Sequence, residues 1–190
     1  MLCLIMGSAA FLLYFLYDLN SILWKRRVLT ACFAAGTLFL ALASAGLVLR
    51  AAGRVGFGNL SPLWLVLSFA SFLLLMDALF FALPADRAYQ GLAEGDGVTV
   101  TTGMYALCRH PGVLWLMLVY LFLFLAFPER DLILGGILFS FLDLCYVILQ
   151  DRWTFPRQFA DYNAYQKTTP FLLPDRQSIK RALQTRRHFR

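Results

Sequence analysis

Five long apolar runs constrain what this chain can become. Crossing a hydrocarbon layer of ~30 Å takes about 20 apolar helical residues. The candidates are "MLCLIMGSAAFLLYFLYDLNSILW", "LTACFAAGTLFLALASAGLVL", "SPLWLVLSFASFLLLMDALFFAL", "PGVLWLMLVYLFLFLAF" and "LILGGILFSFLDLCYVIL". Only 15% of residues are charged and Phe alone occurs 18 times. A soluble domain of this size could not hide that much apolar surface. Inside lipid, each backbone N–H and C=O must find its partner within the protein, which favours helices. The expected fold is therefore all-α: a polytopic helical membrane protein with about five transmembrane helices. The first run has no basic residue ahead of it and is long, so it reads as a span rather than a cleaved leader.

The basic residues predict an orientation, since Lys and Arg favour the cytoplasmic side. With the N-terminus outside, 14 of the 17 Lys and Arg residues fall inside, leaving Arg50, Arg54 and Arg130 outside. The tail and the third connection, which carries Arg87 and Arg109, then share the cytoplasmic face. The expected localisation is thus a multi-pass membrane protein with its active-site face and C-terminus cytoplasmic. Only "PERD" joins the fourth and fifth runs, which predicts an antiparallel helical hairpin. Residues 1–83 form three N-terminal spans, 84–174 a core of loop, hairpin and tail helix, and 175–190 a basic tail.

The hairpin brings distant polar residues to one membrane depth. "CRHP" begins the fourth span and "QDRW" follows the fifth. Arg109, His110, Asp151 and Arg152 should therefore converge. The connection before them is long and carries Gly91, Gly95, Gly97 and Gly103, which permit close backbone approach to a ligand. Pro111 suits a first helical turn, whose N-terminus with Arg109 beside it would attract a carboxylate or phosphate. The same residues also fit an ordinary interfacial role, with Arg109 snorkelling to headgroups. In the tail, Pro156 can open a helix and "TTP" can close it. Phe155, Phe159 and Tyr162 then share one face, with Tyr165 close to it. Such a helix could anchor to the membrane surface or close over the Arg-His-Pro segment.

Together these segments resemble the isoprenylcysteine carboxyl methyltransferases and the related phospholipid methyltransferases. "VTTGMYALCRHP" resembles their G-x-Y-x-x-x-R-H-P element. "QDRW" followed by "FADYNAYQKTTPFLLP" resembles their closing element of an acidic pair, a Phe, a Tyr-x-x-Tyr and a Pro. The resemblance spans about Val98 to Pro174. It implies an S-adenosylmethionine-dependent membrane methyltransferase whose cofactor lies at the cytoplasmic end of the hairpin. A lipid or prenyl-like acceptor would enter from the bilayer. Carried over residue by residue, it implies cofactor-binding roles for Gly103, Tyr105, His110, Pro111, Tyr162 and Tyr165, and catalytic roles for Arg109 and Asp151. Asp151 is expected to face the cofactor's positive charge, with pairing to Arg109 or Arg152 as the alternative.

The sequence departs from that pattern at three places. Val113 and Trp115 stand at the Tyr and Gly positions after Arg-His-Pro, and Gln150 replaces the first acid of the pair. A non-catalytic membrane scaffold or lipid-binding protein that keeps the hairpin is the rival reading. A carboxylate or thiolate acceptor would need only positioning and electrostatics. An amine would need a base, for which His110 or Asp151 is the candidate.

Other features point less sharply. Asp77 and Asp143 lie inside apolar runs, where a carboxylate marks either a functional site or an internally bonded structural residue. The four cysteines form no C-x-x-C pair, so no metal site is expected. The basic end "DRQSIKRALQTRRHFR" suits a solvated terminus or attraction to anionic lipid rather than nucleic acid.

Overall fold

The structure, a computed structural model, describes residues 1–56, 61–81 and 98–185. Gly91, Gly95, Gly97, Arg87 and the basic residues beyond Thr185 lie outside the described residues. The long helices are α1 (Leu2–Leu19), α2 (Arg27–Val55), α3 (Pro62–Met76), α5 (Pro111–Ala126) and α6 (Arg130–Leu149). Shorter helices are α4 (Met104–Leu107), α7 (Phe155–Gln158), α8 (Tyr162–Thr168) and α9 (Arg176–Thr185). The protein is a helical membrane protein; among the described residues four helices are long and apolar enough to cross a bilayer. The fourth expected span, α5, has 16 residues and so rises only about 24 Å. It is wholly apolar and packs within the same bundle.

The corner between α1 and α2 is made by one side chain. Asn20 donates from Nδ2 to the Arg26 carbonyl (3.0 Å) and accepts from the Arg26 N–H (2.8 Å). That grip holds Lys25 in the left-handed region at φ 52°. The two helices then pack along small residues. Ala10 and Ala43 are fully buried, and a Cβ on Gly36 would meet the Tyr14 ring at 2.9 Å. Small residues allow the close backbone approach on which membrane helix packing depends.

α3 pairs with α5 instead. The Ser68 hydroxyl donates to the Val119 carbonyl (3.2 Å), and Trp64 stacks on Phe122. Although consecutive in sequence, α2 and α3 scarcely touch. α6 joins the two pairs, turning Leu132, Gly136, Phe139 and Val147 inward and Ile137 and Phe141 outward. The expected hairpin is present: α5 and α6 pack together across the turn Phe127–Glu129. Glu129 caps α6 by accepting from the N–H groups of Asp131 (2.7 Å) and Leu132 (3.2 Å). Arg54 at the end of α2 pairs with both Glu129 and Asp131.

Three helices end in π-helical turns: Asn20–Trp24 after α1, Asp77–Phe81 after α3 and Gln150–Thr154 after α6. All three lie at the end of the bundle opposite the Arg54–Glu129 pair, and π-turns are frequent at functional sites. The tail differs from expectation. No single helix runs from Pro156 to "TTP". The α6 helix instead continues through its π-turn into α7, stops at Phe159, and restarts at Tyr162. The stop is fixed from afar: the Asp161 carboxylate accepts from the Thr99 N–H and hydroxyl (3.0 and 2.7 Å). Nor is the basic tail frayed over α9. Asp175 and Ser178 cap it reciprocally, each side chain accepting from the other's N–H (2.7 and 2.9 Å).

Candidate active site

Gly103 begins the site. At φ +61° it adopts a conformation that favours glycine, yet a Cβ there would meet nothing. Glycine is needed for the backbone turn into α4 and not for close approach. After α4 the chain extends, and Arg109 N–H and His110 N–H donate to the carbonyls of Pro170 (2.9 Å) and Phe171 (3.3 Å). The tail is thus laid beside the Arg-His-Pro segment, and Pro111 opens α5 directly after it.

Asp151, in the π-turn after α6, is the hub. Its carboxylate accepts from Arg109 Nε (2.7 Å) and Nη2 (3.0 Å), from the Tyr162 hydroxyl (2.7 Å) and from Gln166 Nε2 (3.2 Å). His110 Nε2 lies 3.3 Å from the same carboxylate. The remaining Arg109 nitrogen, Nη1, donates to the carbonyls of Gln166 (3.0 Å) and Thr169 (2.6 Å). The anion that Arg109 attracts is therefore internal. Its side chain is 11% exposed, so the snorkelling role does not hold. Arg152 is exposed and takes no part in the cluster.

Burial lowers the His110 pKa, an effect partly offset by the Asp151 hydrogen bond, so the imidazole is held toward its neutral form. Because the carboxylate can only accept, Nε2 carries the proton and Nδ1 keeps the lone pair. Burial likewise raises the Tyr162 and Tyr165 hydroxyls well above the usual phenol value. Both stay protonated as donors, Tyr162 to Asp151 and Tyr165 to the Tyr105 carbonyl (2.6 Å). Tyr105 in turn donates to the Ala78 carbonyl (2.8 Å), tying α4 to the end of α3. The Cys108 thiol is pushed up to about 11 by burial and is not a nucleophile at neutral pH. Phe155 stacks on His110, and Phe155, Phe159 and Tyr162 still cluster although the helix breaks between them.

The cluster caps a cavity of about 570 Å³ that descends into the bundle. Arg109, His110, Pro111 and Tyr165 line its upper end; Phe11, Tyr120 and Leu123 lie deeper. Its sides come from α2 (Phe33, Thr37, Leu40) and from α3 (Phe72, Leu75) with its π-turn (Leu79), the two helices that scarcely touch. Asp18 and Asp143 also line it, whereas Asp77 does not.

The structure thus gathers Arg109, His110, Asp151 and Tyr162 into one hydrogen-bonded group, with Tyr165, Tyr105 and Pro111 beside it. Gly103 shapes the approach without lining the cavity. Sequence reasoning missed Gln166 and Asp18. Asp18 is buried and accepts from Tyr146 (3.2 Å) and Thr154 (3.2 Å). It carried the same signal as Asp77 and Asp143, a carboxylate within an apolar run. The three departures have distinct settings. Val113 is buried in the cavity wall, Trp115 packs on the core with its indole N–H unpartnered among the described residues, and Gln150 donates to Tyr146 (2.8 Å). Compared with family models, curated proteins and solved structures, the sequence finds no match.

Proposed function

We propose that this protein is an integral membrane methyltransferase that uses S-adenosylmethionine and a lipid or prenyl-like acceptor, with its site facing the cytoplasm. The observation that carries this reading is the meeting of "CRHP" with Asp151, Tyr162 and Gln166 at the upper end of a deep apolar cavity. A polar cap above an apolar chamber suits one charged and one greasy reactant.

The residues present fit such a cofactor on one side of the site. Bound there, the cofactor would supply a methyl group on a positively charged sulfonium. Aromatic faces attract such a cation, and Tyr17, Phe155, Phe159 and Tyr165 all line the chamber. Asp151 has its oxygens committed to protein donors, so its part is positioning: it holds Arg109, His110 and the tail in place. We assign the cofactor's charge to Asp18, the carboxylate that lines the chamber beside Tyr17 and Phe155 and is itself held by Tyr146 and Thr154. It reaches the chamber from α1, linked through Tyr146 to Gln150, the position at which the resemblance expects an acid. For an amine acceptor, the Nδ1 lone pair of His110 is the available base.

The test is calorimetric titration of the purified protein with S-adenosylhomocysteine, supported by its melting temperature, which a ligand of the folded state must raise. Asp18→Asn should weaken binding about ten- to a hundredfold, as ~1.5–3 kcal/mol of charged hydrogen bonding is lost. The saturated Asp151 favours a second reading, a non-catalytic lipid-binding protein whose cluster only locks the tail. Folded protein that neither binds nor is stabilised at millimolar ligand would decide for that alternative.

A further inference from the structure

The chamber holds a carboxyl group that the proposed chemistry does not use. The inward stripe of α6 runs Leu132, Gly136, Phe139, Asp143, Val147. Below Asp143 the stripe is filled. Gly136 lies under Tyr120, and Phe139 is fully buried against Phe11 and Tyr120. At Asp143 the packing gives way to the cavity, so this side chain forms part of its wall.

Nearby hydroxyls are committed elsewhere. Tyr14 donates to Thr37 (3.2 Å), Tyr120 and Ser44 bond each other, and Tyr146 donates to Asp18. Among the described residues none makes a hydrogen bond or ion pair with the Asp143 side chain. An acid within a membrane helix is costly unless it finds a partner. Among the described residues no hydrogen bond or ion pair offsets that cost.

We propose that Asp143 is a ligand-binding residue: it accepts a hydrogen bond from an amine or hydroxyl group on an elongated, largely apolar molecule that occupies the chamber. Asp143 precedes Asp151 by eight residues on one helix, so it lies about 12 Å deeper. A molecule anchored there extends its other end toward the Arg109–Asp151 cap. The sparse contact between α2 and α3 gives it a lateral way in from lipid. This deepens the proposed function, resting on that reading for the claim that the bound molecule is the methyl acceptor. Its test reads binding without S-adenosylmethionine, so failure of one is told from failure of the other.

The experiment uses the full chain in phosphatidylcholine nanodiscs and three photoreactive probes. They share one diazirine-bearing alkyl chain and end in a primary amine, a hydroxyl or a methyl group. Peptides labelled from α2, α3 and α5 are counted by mass spectrometry. The amine and alcohol probes should label chamber-lining positions several-fold more than the methyl probe, and Asp143→Leu should erase that preference. Asp143→Asn, which keeps an acceptor oxygen, should retain the preference for the alcohol. Labelling at the lipid-facing Phe69 and Phe141 should not change. Equal labelling by all three probes, or an unaltered preference in Asp143→Leu, would overturn the proposal. So would loss of the alcohol preference in a folded Asp143→Asn protein. A lower melting temperature of probe-free Asp143→Leu would assign the residue to structure and overturn it as well.

Discussion

Arg109 is a largely enclosed cation that directs four of its five N–H donors at Asp151 and at two tail carbonyls. Removing the charge of its partner leaves that cation unpaired in a place water hardly reaches. Asp151→Asn should therefore destabilise the protein by about 3–5 kcal/mol. Measured by denaturant titration in detergent, the double variant with Arg109→Gln should lose less than the sum of the two single changes. Additive losses would separate the two side chains energetically. His110 gives a pH signature. Its pKa is lowered in the fold, so the unfolded chain takes up the proton first as pH falls. Its contribution is whole above the unfolded value of about 6.5 and drains away below it, toward the folded value. Melting temperature should thus drop between about pH 7 and pH 5, and His110→Gln should flatten that part of the profile. The cluster was legible in the sequence as far as Arg109, His110, Asp151 and Tyr162, because the hairpin fixes their depth. That Asp151 would be saturated was not, because Gln166 reaches it, and the Thr169 carbonyl reaches its partner Arg109, through a tail path that no periodicity encodes.

Among the elements, the spans were the most legible part, since lipid imposes a length and a composition on each. Their ends were less so. The tail break at Phe159 is set by Asp161 reaching Thr99, a contact between segments 62 residues apart, while the local pattern of Phe155, Phe159 and Tyr162 still reads as a helix face. The hairpin itself depends on a glycine. A Cβ on Gly136 would stand 2.8 Å from the Cβ of Tyr120, so α5 and α6 must separate to admit one. Gly136→Val should cost about 1–3 kcal/mol by overpacking, seen as a lower melting temperature. The same substitution at Gly53, where a Cβ would meet nothing, should cost clearly less and serves as the control.

For the whole molecule, the bias of basic residues leads us to propose that the Arg109 end faces the cytoplasm. In a cysteine-free background, Cys at position 102 should be shielded from an impermeant maleimide on intact cells, and Cys at position 130 should react. The reverse pattern would invert the orientation and put the site on the other face. The division into an α1–α2 pair and an α3–α5 pair, with α6 between them, has a consequence for assembly. Helices in a membrane can insert separately and associate afterwards. Since α2 and α3 do little to hold each other, their covalent link contributes mainly proximity. A chain cut between them and co-expressed as two polypeptides should reassociate, with the α1–α2 fragment docking on α6. Co-purification of the untagged fragment with its tagged complement, in mild detergent, would establish that the bundle is two preformed pieces sharing one spine.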